Sequence, residues 1–177
     1  MRPLMALLAG LLVLAPAHAA LNAYLKVEGI NGGVVRAGEE NSMEVWGMSH
    51  EVVSPRDAAS GLPTGKRQHK PLTITKPIDK ATPLLMSALT TNKILPTVTL
   101  RMYQPSVRGE GTEVLYYTIK LENAVVSGIR HEMLDNKYPE NMAQETREMI
   151  SFTYQKITWT WVDGGITAMD DWESPVA

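Results

Sequence analysis

The chain has 177 residues, 44% hydrophobic and 20% charged, with 17 Lys+Arg against 19 Asp+Glu and no cysteine. That length fits one domain with enough interior to fold without a metal or disulfides. The charge balance lacks the basic footprint that a nucleic-acid partner requires. Without cysteine there is no thiolate nucleophile, iron–sulfur cluster or Cys-ligated zinc.

Residues 1–19 read as a segment apart. Met1-Arg2-Pro3 is a short basic start, 4–14 is an apolar run broken only by Gly10, and Pro16 precedes Ala17-His18-Ala19. Charged start, apolar stretch and small-residue site are the three parts of a secretory signal peptide. The run is shorter than the ~20 residues that span a bilayer. No other stretch is apolar enough, so no membrane contact is expected once this segment is removed. The domain itself is then 20–177.

A first strand is expected over 22–27, ended by Glu28-Gly29-Ile30-Asn31-Gly32-Gly33, where Asn and Gly take positive φ cheaply. Over 42–53, Met43 and Val45 alternate with Glu44, Trp46 and Met48, a period-2 pattern. Residues 54–67 carry Pro, Gly, Ser and charge and form a long loop of the kind that usually has a function. Strand pattern resumes over 68–76, with Leu72 and Ile74 on one face. A helix is predicted over 83–91: Thr82 as N-cap, Pro83 at the first helical position, and Leu84, Leu85, Ala88 and Leu89 as a core-facing stripe. Asn92 is its stop, because Asn tolerates the left-handed conformation.

Beyond the helix, Val98, Leu100 and Met102 alternate, and 104–112 is polar and reads as a hairpin loop. The longest alternating segment is 113–126. It sets Leu115, Tyr117, Ile119 and Leu121 on one face and Tyr116, Thr118, Lys120 and Glu122 on the other. Residues 128–143, with Pro139, form a second long loop. A last strand or hairpin covers 145–162. Its apolar parity runs Ile150, Phe152, Tyr154 and then slips to Ile157, Trp159, Trp161, as a β-bulge would produce. Asp163-Gly164-Gly165 is a turn, and 166–172 returns. The sum is a mainly β chain, an antiparallel barrel or sandwich with one covering helix. Its wet strand faces and pairing edges invite assembly.

Catalytic constellations are missing from the pattern. His50-Glu51 and His131-Glu132 each lack the second histidine four residues on that would put two imidazoles on one helix face. A metal-assisted hydrolase would have to use His50, His69 or His131, and no ligand spacing unites them. Gly109-Glu110-Gly111 lacks the third glycine and the strand-to-helix setting of a phosphate cradle. Asp170, Asp171 and Glu173 lack calcium-loop spacing and read as a solvated face. Ser60, Ser87 and Ser127 stand in no nucleophile elbow. Trp159 and Trp161 share a strand face suited to stacking a sugar or base, or to core and subunit packing. No catalytic, cofactor-binding or metal residue is assigned, no cofactor is expected, and the chain is not read as an enzyme.

Several pieces together resemble one family. They are Tyr24-Leu25-Lys26-Val27-Glu28-Gly29-Ile30-Asn31-Gly32; the run from Gln68-His69-Lys70-Pro71-Leu72 to Thr82-Pro83-Leu84-Leu85; Tyr117-Thr118-Ile119-Lys120-Leu121-Glu122-Asn123-Ala124; Tyr154-Gln155-Lys156-Ile157-Thr158-Trp159-Thr160-Trp161; and Asp163-Gly164-Gly165-Ile166 to Asp171-Trp172. In colinear order over 21–174, they resemble the haemolysin-coregulated protein (Hcp) family, the inner tube of the bacterial type VI secretion system.

The resemblance implies a small antiparallel β-barrel of two sheets with one flanking α-helix and long loops. It also implies hexameric rings stacked into a hollow tube. Implied partners are further copies of the chain, a spike protein, a contractile sheath and small effectors delivered through the tube. Loop 54–67 would reach a neighbouring subunit or ring. Export through the type VI system is the implied localisation. Family members start near the equivalent of Asn22 without a signal peptide, so residues 1–19 point to the periplasm as the alternative address. A periplasmic or secreted binding module built on the same barrel, using the Trp159/Trp161 face, is the alternative function.

Overall fold

The computed structural model describes residues 21–106 and 112–173. In chain order the elements are β1 (Ala23–Val27), β2 (Met43–Val45), β3 (Gly47–Ser49), β4 (Val52–Val53), β5 (Gln68–His69), β6 (Leu72–Pro77), α1 (Thr82–Thr90), β7 (Leu95–Pro105), β8 (Glu113–Glu132), β9 (Arg147–Thr153), β10 (Lys156–Trp161) and β11 (Ile166–Asp171). The signal-like segment 1–19 and the Gly109-Glu110-Gly111 motif lie outside the described residues. Among the described residues no helix is long and apolar enough to cross a membrane.

All pairings are antiparallel, along the path β2-β1-β7-β8-β9-β6-β3, with β10 and β11 branching from β8 and a separate β4–β5 ribbon. Among the described residues the chain is mainly β, two large sheets sharing β8, with one α-helix. The two ends of the path are consecutive in sequence: β2 passes into β3 through Trp46, whose N–H donates to Thr75 O at 2.8 Å. Alternation fills the space between the sheets. Leu25, Leu100, Leu121 and Ile157 come from one sheet and Leu72, Ile74, Ile150 and Phe152 from the other, all fully buried. Helix α1 adds Leu85 and Ala88 to this core.

Several expectations are corrected. The strand expected over 42–53 is cut into β2, β3 and β4, and that over 68–76 into β5 and β6 at Pro71, which has no N–H to give a ladder. Residues 128–132, expected in a loop, extend β8, because Ile129 packs against the core while Arg130 and Glu132 stay polar on a strand paired with β9. Thr82 is the first helical residue, and Ala81 holds the N-cap position without a side-chain cap bond. Asp79 supplies the acceptor instead, its Oδ1 taking the Ala81 N–H at 2.9 Å. Asn92 is left-handed at φ 50°, as expected of the stop.

The parity slip after Tyr154 has another cause than a bulge. Val125 faces Thr153 and Glu122 faces Lys156, so the register is the same on both sides. Both strands slip together: β8 also goes from Leu121 to Ala124, with Asn123 left-handed at φ 51° and its Nδ2 donating to Gln155 Oε1 at 2.8 Å. This is a shared kink. The true register shifts are elsewhere, between Val126 and Gly128 and between Met102 and Tyr103.

Candidate functional site

The face of the first sheet that points away from the core is built in rows. Thr99, Lys120, Thr158 and Met169 stand side by side across β7, β8, β10 and β11; Arg101, Thr118, Thr160 and Thr167 form the next row. In a third row Glu122 lies between Thr97 and Lys156, and its carboxylate meets Lys156 Nζ at 3.2 Å and Lys120 Nζ at 3.4 Å. These ion pairs hold the Glu122 carboxyl below its ordinary range. Threonine methyls and hydroxyls with locally neutralised charge make a wet, weakly adhesive wall. At its border β11 pairs, among the described residues, only with β10, and Ile166 and Met169 are each 69% exposed. An unpaired edge with exposed apolar side chains is a template for another strand. Loop 54–67 is carried by the two-residue strands β4 and β5, with an isolated bridge between Arg56 and Pro63.

Under the base of that loop lies a polar cluster. His50 Nε2 is 2.6 Å from Tyr154 Oη, Tyr154 Oη is 2.8 Å from His69 Nδ1, and His69 Nε2 is 2.6 Å from Asp170 Oδ2. Arg67 donates through Nε to the same carboxylate and through a terminal nitrogen to Asp171 O at 2.8 Å. Rings wall the site: His69 stacks on Trp159 and lies 5.1 Å from Trp172, centroid to centroid. Burial pushes the Asp170 carboxyl up, but Arg67 and His69 outweigh it and hold it below the usual range. Burial also raises Tyr154 and, with the neighbouring His69, lowers His50.

Residues 24–161 match the family model described as "Type VI secretion system effector, Hcp". The chain belongs to the Hcp family. It is 44% identical over 146 residues to the "Major exported protein" of Pseudomonas aeruginosa, covering 82% of this chain and 84% of that one. The Hcp1 structure from E. coli EAEC 042 pathovar is 34% identical with a TM-score of 0.73, covering 86% of this chain and 97% of the other. Secreted protein Hcp3 from Pseudomonas aeruginosa is 34% identical with a TM-score of 0.69, covering 88% and 100%.

Within this Hcp chain the sequence-derived candidates are scattered. His50, His69, Asp170 and Trp159 come together, and sequence reading missed their partners Arg67, Tyr154 and Trp172. Only contact across more than eighty residues unites them, a distance no local spacing reports. His131 is elsewhere, 3.1 Å from Glu148 Oε2. Glu132 takes Arg147 Nε at 2.7 Å, and Ser127 donates to Ser151 O at 3.1 Å. Ser60 donates its hydroxyl to Asp57 Oδ1 in the loop, while Ser87 accepts through its carbonyl from Thr91. Trp161 leaves the Trp159 neighbourhood and meets the Tyr116 ring edge-on at 5.7 Å. Among the described residues no group of three or more His, Asp or Glu side chains is placed to hold a metal ion.

Two further polar knots escaped the sequence reading. Lys76, fully buried, donates to Glu148 Oε1 at 2.7 Å, Asp79 Oδ1 at 2.9 Å and Pro77 O at 2.7 Å. Glu148 Oε1 also accepts from Thr82 Oγ1 at 2.7 Å, tying β9 to the start of α1. The loop between β1 and β2 is pinned by Arg36, whose guanidinium lies 5.4 Å and 4.9 Å from the Tyr24 and Tyr103 ring centroids and donates to Glu113 Oε2 at 2.6 Å. Burial and a hydrogen bond to Glu39 push Tyr103 up to about 12.

Proposed function

We propose that this chain is a structural subunit of the type VI secretion tube: six copies close into a ring, and rings stack into a hollow tube. Spike protein and contractile sheath are its working partners, and small effectors travel in the lumen. The observation that carries the reading is the pairing of two features on one sheet. Its threonine-rich wall holds Glu122 between Lys120 and Lys156, and its border strand β11 pairs, among the described residues, with β10 alone. A lumen must stay wet and weakly adhesive while cargo moves, and a head-to-tail contact that closes by rotation gives a ring that satisfies strand edges. Loop 54–67 then supplies the axial contact between rings. The role is mechanical, and the chain makes and breaks no bond. Export is supported by the 44% identity to the Pseudomonas aeruginosa major exported protein. Residues 1–19 act as a leader removed before assembly, so the domain at work is 20–177.

Light scattering behind a sizing column, on the chain lacking residues 1–19, tests this. A particle of six chain masses is expected. A monomer that persists at high protein concentration would overturn the ring. N-terminal sequencing of exported protein tests the leader, with a start at residue 20 expected.

A further inference from the structure

The cluster beneath the loop has a directional hydrogen-bond pattern. An ionised carboxylate only accepts, so His69 carries its hydrogen on Nε2, facing Asp170 Oδ2 at 2.6 Å. Neutral His69 must then accept at Nδ1, which makes the Tyr154 hydroxyl the donor across their 2.8 Å contact. Tyr154 oxygen in turn accepts from His50 Nε2–H at 2.6 Å. With both imidazoles neutral every contact is satisfied in one order: His50 to Tyr154 to His69 to Asp170.

One added proton reverses part of that order without loss. It enters at His50 Nδ1. The His50 Nε2 proton passes to the Tyr154 oxygen as the Tyr154 proton passes to His69 Nδ1. Afterwards His50 is neutral with hydrogen on Nδ1, Tyr154 is neutral and donates back to His50 Nε2, and His69 is charged beside Asp170. A second proton has no such arrangement. Both imidazolium rings would then donate to the one Tyr154 oxygen, whose own hydrogen has no acceptor among them. The two cationic rings would also lie 6.2 Å apart, centroid to centroid. Tyr154 is 8% exposed, so an unmet hydroxyl there pays its full desolvation penalty.

We infer that His50, Tyr154, His69 and Asp170 form a proton relay that accepts one proton intact and is broken by a second, which unhooks His50 and loosens the β4–β5 ribbon at the foot of loop 54–67. The relay ties together five places in the fold: His50 between β3 and β4, His69 in β5, Tyr154 between β9 and β10, Asp170 in β11, and Arg67 at the end of the loop. The charged and titratable groups facing it are Arg67 on Asp170, Asp171 beside Arg67, the two histidines on each other, and Tyr154 between them. Glu51 and Lys70, next in sequence, are exposed. Burial and the neighbouring His69 already depress His50 below its ordinary 6.5. A group depressed this way favours the fold when neutral, so its contribution is complete above the unfolded value and is lost as pH falls below it. Two interacting sites of this kind titrate in separate steps that belong to the pair. The relay stands whether or not the chain forms a tube.

The test uses the full chain labelled with 15N at histidine and follows the imidazole nitrogen shifts from pH 8 downward. In the first step His69 becomes doubly protonated while His50, still neutral, changes from the Nε2–H to the Nδ1–H tautomer. Tyr154→Phe abolishes that tautomer change while His69 still titrates. If His50 keeps its Nε2 hydrogen while His69 titrates, or both take up protons in one step, the relay is refuted. Amide exchange reads the unhooking. Protection of the Lys70 N–H, bonded to Glu51 O at 2.9 Å, should fall about tenfold below the second step, against a flat profile in His50→Gln, whose side-chain amide still donates to Tyr154. An equal fall in His50→Gln would refute the unhooking.

Discussion

Replacing Glu148 with Gln should cost this protein about 3 kcal/mol, near the low end of the ~3–5 kcal/mol typical when one partner of a buried ion pair is removed. Both Lys76 and Glu148 are wholly buried, with Nζ and Oε1 2.7 Å apart. The low end applies because Asp79, 17% exposed, keeps its Oδ1 2.9 Å from the same ammonium. For a domain of this size each kcal/mol moves the midpoint by about 2–4 °C, so Glu148→Gln should melt about 6–12 °C below the parent. The assay is thermal unfolding by circular dichroism at pH 7 and one fixed protomer concentration, since assembly shifts apparent stability by mass action. A double variant, Lys76→Met with Glu148→Leu, removes both charges together and should recover most of the loss. It will fall short by about 1 kcal/mol for the Thr82 hydroxyl left without its carboxylate. A single variant melting with the parent, or a double variant no better than the single, would refute the reasoning.

Gly32→Ala should abolish soluble folded protein, because its Cβ would sit 2.2 Å from Ser42 O; Gly33→Ala, with nothing nearer than 3.9 Å, should melt with the parent in the same assay. Asp170, held below its ordinary value, contributes stability that is present above about pH 3.8 and lost as pH falls through its folded value. Over pH 4 to 2 the parent midpoint should therefore fall more steeply than that of Asp170→Asn, and equal slopes would remove Asp170 from the acid response. Arg56→Glu in the exposed loop should change stability by no more than ~0.5 kcal/mol yet shorten stacked tubes in electron micrographs. Unfolding instead would make the loop part of the core.

Local signals in the sequence reached the structure wherever local physics decides. Alternation placed Val98, Leu100, Ile119, Leu121 and Ile157 in the core, and Asn92 ends the helix for the conformational reason its residue type suggests. The misses share a cause. Thr82 has the right side chain for an N-cap, but Glu148, 66 positions away, claims its hydroxyl and draws it into the helix. Residues 128–132 look polar enough for a loop, yet β9 supplies a ladder that makes them strand. Strand 150–161 carries only half of the evidence for its kink; the other half is Leu121, Asn123 and Ala124 on the facing strand. The cluster under the loop was half legible. His50, His69, Asp170 and Trp159 stood out by residue type, but Tyr154 read as one more apolar-face residue and Arg67 as a loop charge.

Strand β8 bears on how the molecule answers force. Its 20 residues are laddered to β7, β9 and β10 in turn, and residues 117–122 are bonded on both sides. A thrust directed along that strand loads its transverse hydrogen bonds together, in shear, and none can be unzipped before its neighbours. Both sheets hang on this one beam, so a thrust received by either is passed to the other along a single strand. A domain wired in this way transmits a sudden push along β8 as one unit.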